Sequence, residues 1–404
     1  MPLDRSDEKM IAKARRLRSL DILEGAKIIA KAPVDEALEL LSRLNSHTSL
    51  DLLNLLDEKK RDSLYDKAPS ALRKQWFLDK EYESNTVGSL MELPQAIFDP
   101  NDTVQEAIDR LKRLTQKTLI NYGFLVDTEG YLIGVFAFRE LLFADKKAAL
   151  SEVSINDPFY LTDTMPLNEA MQEVVTRHFP TYPVCDQNKK LVGLVRGYVL
   201  FEEQAFEISS QAGRMQGVDK EEMLSTPWLR SLKFRHPWLQ LNLLTAFIAA
   251  GVVGVFQDTL DEIIVLAAFL PVLAGQSGNT GCQALAVTLR GVTLGELKNH
   301  PVIKLIIKEA FLGFSNGAVV GVLAGGGMWY YAHSQGNETA VLLGVIVWLA
   351  MIVACMISGV AGTVIPLILK RVGADPATAS SIFLTTMTDV VSMGVFLGLA
   401  SLTI

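Results

Sequence analysis

Asp389 is the residue whose position demands a chemical explanation. It lies near the middle of the last long apolar stretch of the chain, and no Lys or Arg falls inside any apolar stretch to neutralise it. An unpaired carboxylate at the centre of a bilayer costs about 2.5–3.5 kcal/mol or more, so it should face water, an ion or a second carboxylate. Ser381, Thr385, Thr388 and Ser392 stand at offsets of −8, −4, −1 and +3 from it, which on a helix gathers hydroxyls and the carboxylate on one face. The plainer alternative is a protonated acid hydrogen-bonded to a neighbouring helix. A second polar interruption reads Pro271-Val-Leu-Ala-Gly275-Gln-Ser-Gly278-Asn279-Thr-Gly281-Cys-Gln283. The proline lacks a backbone donor and the glycines weaken a helix, so a broken helix is expected. Such a segment is tolerated at membrane depth only where protein buries it or water lines it. Asn279 and Gln283, four residues apart, share a face. One carboxylate with amide, hydroxyl and carbonyl oxygens suits a hard, hydrated cation, and Mg²⁺, which sheds water reluctantly, can be held through its hydration shell. Cys185, Cys282 and Cys355 are scattered and no histidine lies in an apolar stretch, which argues against zinc, copper or a disulfide framework.

These residues need a membrane to act in, and the composition supplies one. Of the 83 charged side chains in 404 residues, only 14 lie from Leu241 onward. A purely cytosolic enzyme, a secreted protein and a disordered chain are thereby excluded. Five apolar stretches, at about 239–256, 263–289, 310–331, 340–369 and 377–404, are each long enough to cross roughly 30 Å of hydrocarbon. Arg230, Lys233 and Arg235 precede the first; Arg290, Lys298, Lys304 and Lys308 separate the second and third; Lys370 and Arg371 separate the fourth and fifth. The other connections carry no Lys or Arg. By the positive-inside rule the N-terminal part is cytoplasmic and the C-terminus outside. The first residues, charged from Asp4 onward, have no apolar core of a signal peptide. Gly313, Gly317, Gly321 and Gly325 form a small-residue stripe for close helix contact, and Gly394 and Gly398 repeat it in the last stretch. Five spans are few to enclose a pore, so a homodimer is expected.

The charged part divides further. Residues 9–77 read as helical throughout, with stripes such as Leu40-Leu41-Leu44 and Leu52-Leu53-Leu55-Leu56. An internal repeat follows: Phe124-Leu-Val-Asp127 to Gly134 matches Tyr182-Pro-Val-Cys-Asp186 to Gly193, at an offset of 59 residues. Each copy reads as strand, turn and strand between short helices. Residues 201–232 read as a helical connector carrying Glu202, Glu203, Glu207, Asp219, Glu221 and Glu222, which could bind a cytoplasmic divalent ion or simply solubilise the surface.

The pattern PVLAGQSGNTGCQ at 271–283, with Asp375-Pro376 and Thr388-Asp389-Val390, resembles the MgtE family of magnesium channels and transporters. The order of parts agrees over nearly the whole chain. The resemblance implies a multi-domain membrane protein: a helical N-terminal domain (1–87), tandem CBS repeats of α/β type (88–206), a plug-like connecting helix (207–238) and an all-α transmembrane domain of five helices (239–404). It implies a homodimer in the inner membrane whose pore carries Mg²⁺ down the membrane potential. Asp389 then holds the hydrated ion, and Gly278, Asn279, Gly281, Gln283, Thr385, Thr388 and Ser392 line its path. In the family, cytoplasmic Mg²⁺ closes the pore by binding acids between the soluble domains and the connecting helix. Three departures stand out. The N-terminal domain is short; Leu194-Val-Arg196-Gly-Tyr198-Val replaces the usual threonine and acidic pair after Gly193; and neither 134–140 nor 193–199 supplies the Thr/Ser-x-x-Asp of a ribose site, which counts against ATP at the CBS repeats. A transporter preferring Co²⁺ or Mn²⁺, and a non-transporting membrane sensor of a divalent ion or nucleotide, are the alternatives. Neither an enzyme, for want of a nucleophile–base pair or HExxH in any span, nor a nucleic-acid partner is expected.

Overall fold

The computed structural model describes residues 5–44, 46–79, 81–83, 85–115, 120–298 and 301–403. Two compact units divide the chain: residues 1–207 with 223–226, and residues 208–222 with 227–404.

The first unit opens with six helices, α1 (Arg5–Arg18), α2 (Ile22–Lys31), α3 (Val34–Ser42), α4 (Ser46–Asn54), α5 (Glu58–Lys67) and α6 (Ser70–Asp79). Side-chain caps set two of their starts: Asp21 accepts from Leu23 N at α2, and Asp57 from Lys60 N at α5. The leucine stripes form the core, where Leu40, Leu41, Leu53 and Leu64 are buried around Trp76, and Tyr65 meets that indole edge-on.

Two small sheets follow. In the first, β1 (Ile97–Phe98) runs parallel to β2 (Tyr122–Val126), which pairs antiparallel with β3 (Leu132–Ala137), itself paired with β4 (Ile155–Asn156). In the second, β5 (Leu161–Thr162) runs parallel to β6 (Thr181–Cys185), antiparallel to β7 (Leu191–Arg196). Helices α7 (Val104–Leu114), α8 (Phe138–Leu141), α9 (Leu150–Val153), α10 (Leu167–Val174) and α11 (Gly197–Arg214) pack around them. The repeat is exact in register. Leu125 faces Gly134 and Val184 faces Gly193, and a bulge follows each pair. The repeated aspartates make the turns: Asp127 Oδ1 accepts from Glu129 N and Tyr131 N, and Asp186 Oδ1 from Asn188 N and Lys190 N.

The second unit holds α12 (Trp228–Val255), α13 (Gln257–Glu262), a 3₁₀ segment (Ile264–Phe269), α14 (Leu270–Thr293), α15 (Val302–Ser334), α16 (Ala340–Arg371) and α17 (Pro376–Thr403). Helices α12, α15, α16 and α17 are long and apolar enough to cross a membrane. At 24 residues α14 has the length as well, but Gln276, Asn279 and Gln283 lower its hydropathy. It is held by packing on α16 and α17. The glycine stripe of α15 lies on α16: a Cβ at Gly313 would fall 2.4 Å from Cys355 O and one at Gly325 2.5 Å from Gly344 O.

Two expectations fail here. The broken helix at 271–283 is a continuous α-helix, because Pro271 falls in its first turn, where no intrahelical donor is lost. The single connecting helix over 207–238 is two helices. α11 stops at Arg214, and Gly217 takes φ +74° with its backbone against the Trp238 indole, where a Cβ would lie 2.1 Å from the ring. Pro227 then starts α12.

Candidate ion site

Asp389 sits on α17, the helix that packs against α12, α14 and α16. Its carboxylate is half-buried, and among the described residues no cation or hydrogen-bond donor pairs with it. On the adjoining side of α17, Thr388 is buried and meets α14 at Gly278, where a Cβ would lie 3.8 Å from Thr388 Oγ1. One turn earlier on α17, Leu384 closes on Gly281, which also abuts Ser358 O of α16. The expected set is therefore partly assembled: Gly278 meets Thr388, and Gly281 is locked into the α14–α16–α17 junction. Asn279, Gln283 and Thr385 are exposed. An exposed amide pair and a bare carboxylate on membrane helices need a polar partner, since hydrocarbon offers none.

The hydroxyl stripe is less uniform than its spacing implies. Ser392 and Thr388 are buried and donate to Asp389 O and Thr385 O, and Thr385 donates to Ser381 O. Their protons serve the helix backbone, so only oxygen lone pairs remain for an ion. Among the described residues no three His, Cys, Asp or Glu side chains come together as a metal-binding group.

The connector acids do not gather. Glu202 faces Arg18 at 3.9 Å. Asp219 Oδ1 accepts from Glu221 N, and Glu221 pairs with Arg230 at 3.3 Å. Glu222, whose side chain is nearly buried, takes two hydrogen bonds from Arg235 Nε at 2.9 and 3.0 Å. Glu203 and Glu207 lie on α11, and among the described residues neither belongs to a group of three or more acidic, Cys or His side chains that could hold a metal. The Arg235 hydrogen bonds hold the Glu222 carboxyl below its ordinary value of 4.5. The pair therefore adds stability that is complete above that value and is lost as pH falls through the lowered one. In acid-unfolding curves of the purified protein, Glu222→Gln should flatten the loss of stability below about pH 4.5; identical acid limbs would contradict this.

Two contacts escaped the sequence reading. Gln211 Nε2 donates to Thr293 Oγ1 at 3.1 Å, and Arg214 pairs at 3.5 Å with Asp375, which also caps α17 through Ala377 N. Met215 adds to the apolar cluster of Leu285, Leu289, Ala361, Ala377 and Leu384. The end of α11 is thereby fastened to the C-terminal end of α14 and the start of α17. The only sequence signal was Asp375-Pro376, a helix-start signature. Glu309, buried on α15, also went unnoticed; adjacent Lys308 pairs with it at 3.3 Å.

In the first unit a cavity of about 250 Å³ lies between the two repeats, lined by Glu92, Asn121, Tyr122, Phe124, Arg196 and Tyr198 among others. Arg196 Nε and Nη2 grip both oxygens of Glu92 at 3.0–3.1 Å. Among the described lining residues, the one carboxylate is thus engaged by the one cation.

Residues 270–399 match the MgtE family, described as a divalent cation transporter, and residues 87–147 and 150–197 match the CBS domain. Similar proteins include the magnesium transporter MgtE of Bacillus subtilis, 28% identical over 324 residues, covering 79% of this chain and 70% of the relative. The magnesium transporter MgtE of Enterococcus faecalis is 29% identical over 325 residues, covering 80% and 70%. Among solved structures, the cytosolic domain of the Mg²⁺ channel MgtE in complex with ATP is similar over 47% of this chain and 78% of that one, with 25% identity and a TM-score of 0.43. Both relatives are named as magnesium transporters. The chain is thus similar to the MgtE family in a divalent cation transporter domain behind a CBS pair, with relatives aligned over about four fifths of its length.

Proposed function

We propose that the protein carries Mg²⁺ across the cell membrane as a homodimer, with the ion moving along α14 and α17 and held by Asp389 through its hydration water. The observation that carries this reading is the half-buried Asp389 carboxylate, which has no partner among the described residues, on a helix whose Thr388 meets α14 at Gly278, with Asn279, Gln283 and Thr385 exposed. A two-fold partner gives those side chains a polar surface to meet and brings two carboxylates to one path, a charge suited to a divalent ion. α14 meets Thr388 at Gly278, and the lone pairs of Thr388 and Ser392 add neutral oxygens near the ion. Basic residues at one end of the membrane helices support a cytoplasmic soluble half and an outside C-terminus. The CBS pair acts as the regulatory module, and the Glu92–Arg196 pair makes its cleft a structural joint in place of a nucleotide site.

The names of the relatives favour Mg²⁺ over Co²⁺ and Mn²⁺, which oxygen ligands alone hardly separate. Purified protein in liposomes should pass Mg²⁺, and excess Co²⁺ or Mn²⁺ should compete less well than Mg²⁺ itself. Stronger competition by Mn²⁺ or Co²⁺ reassigns the ion. No flux of any of the three through folded dimers leaves a membrane-bound sensor.

A further inference from the structure

Helix α15 is longer than a bilayer needs. Its 33 residues, at about 1.5 Å each, reach roughly 50 Å, whereas the hydrocarbon layer is about 30 Å thick. Trp329, Tyr330 and Tyr331, all exposed near its C-terminal end, mark one edge of that layer, since such rings settle at the headgroups. A step of about 30 Å, or about twenty residues, back from Tyr330 ends at Ala310. The turns before Ala310 therefore stand among the headgroups of the other leaflet, on the side of the basic loops.

Those turns begin two exposed rows. Ile303, Ile307 and Phe311, spaced by four, are 61%, 61% and 68% exposed, and Lys304 and Lys308 stand beside them, each one residue on. At 3.6 residues per turn both rows lie opposite the glycine seam that sets α15 on α16. Lys308 is braced by Glu309, 3.3 Å away, whose side chain is only 9% exposed. Lys304 has no ion-pair partner among the described residues, and the positive end of the α15 dipole lies beside it. Two ammonium groups one turn apart at headgroup depth, with apolar side chains leading down to the hydrocarbon edge, complement a lipid with a negative headgroup. A zwitterionic headgroup, whose own cation balances its phosphate, fits less well.

We propose that Lys304 and Lys308 hold the phosphate of an anionic phospholipid, whose acyl chain runs along Ile307 and Phe311. The inference needs α15 to span a bilayer and does not rest on transport. Native mass spectrometry of the full-length protein in detergent, titrated with phosphatidylglycerol, tests it. Phosphatidylglycerol should bind at least about fivefold more tightly than phosphatidylcholine with the same chains. Lys304→Gln should weaken its binding about fivefold, the effect of one lysine at a membrane surface. Lys308→Gln should weaken it less, because Glu309 already offsets that charge. Glu309→Gln frees Lys308 for the lipid and should tighten binding, where a merely structural role predicts the reverse. Lys370→Gln, which removes an exposed charge from the neighbouring end of α16, should leave binding nearly unchanged.

Equal binding of the two lipids overturns recognition of the charge. An equal loss in Lys370→Gln reduces the site to diffuse attraction and overturns it. Unchanged binding in Lys304→Gln, which breaks no ion pair within the fold, does the same. Displacement of the lipid by excess inorganic phosphate replaces it with a free anion. Phe311→Cys tests the other occupant, a second copy of the chain. In membranes it should form no disulfide-linked dimer beyond the wild-type level, and efficient cross-linking would mean that a partner helix covers this face.

Discussion

Liposomes carrying Asp389→Ala are expected to pass Mg²⁺ more than about a hundredfold more slowly than wild type, with the protein still folded and dimeric. A divalent ion and a carboxylate about 5 Å apart, with water between them, attract by roughly 7 kcal/mol at an effective dielectric of about 20. Losing even half of that slows passage by more than about a hundredfold, at roughly 1.4 kcal/mol per decade. Folding should not suffer, since no described residue depends on this carboxylate for a hydrogen bond or ion pair. The removal of an unpaired acid from the membrane should if anything stabilise the helix bundle. Asp389→Asn separates charge from shape: it keeps size and polarity, and if charge holds the ion its flux should fall nearly to the alanine level. Asp389→Glu keeps the charge and displaces it by one methylene, so partial flux is expected. Full flux in Asp389→Ala would remove Asp389 from the ion path, whatever the fate of the other two.

What could be read from the chain was what neighbours in sequence decide. The repeat is an example. Asp127 and Asp186 each build their turn with amides two and four residues away, so the pattern carries its own structure. Helix α7 is another: Thr103 and Glu106 close a capping box at its start, and its bounds follow from local spacing. The isolation of Asp389 was legible for the same reason, since no cation falls in any apolar stretch. What depended on distant partners was not. Three glycines and a proline read as a broken helix, yet Gly281 is there because Leu384 and Ser358 press against it from two other helices. The connector acids could be read as ion ligands or as surface solubilisers, but Glu221 and Glu222 find arginines nine and thirteen residues on, across a turn that the sequence disguised as helix. The hydrogen bond from Thr226 Oγ1 to Asp21 Oδ2 spans 205 residues, and nothing near Asp21 announces it.

The same long-range contacts make the glycines of the bundle the most sensitive positions for folding. Gly362 of α16 sits where a Cβ would fall 2.3 Å from Gly281 O and 3.0 Å from Leu285 N. Both are backbone atoms of a helix and cannot rotate aside, so Gly362→Ala must push α14 away from α16. Overpacking of this kind typically costs about 1–3 kcal/mol, and here it also shifts the stretch from Gly278 to Gln283 relative to α17. Gly313, whose Cβ would fall 2.4 Å from Cys355 O and 2.8 Å from Met356 Cα, admits a valine still less. Gly326, in the same helix as Gly313, has nothing within 4 Å of its Cβ position and serves as the control. Thermal unfolding in detergent should give a clearly lower midpoint for Gly362→Ala, little folded protein for Gly313→Val, and a value at or above wild type for Gly326→Ala, where alanine only improves helix propensity. Flux should separate the two glycine effects: Gly362→Ala protein recovered in folded form should conduct poorly, because α14 no longer meets Thr388 at Gly278. Wild-type stability in Gly362→Ala would mean that α14 and α16 do not approach this closely, and the meeting of α14 with Thr388 at Gly278 would go with it.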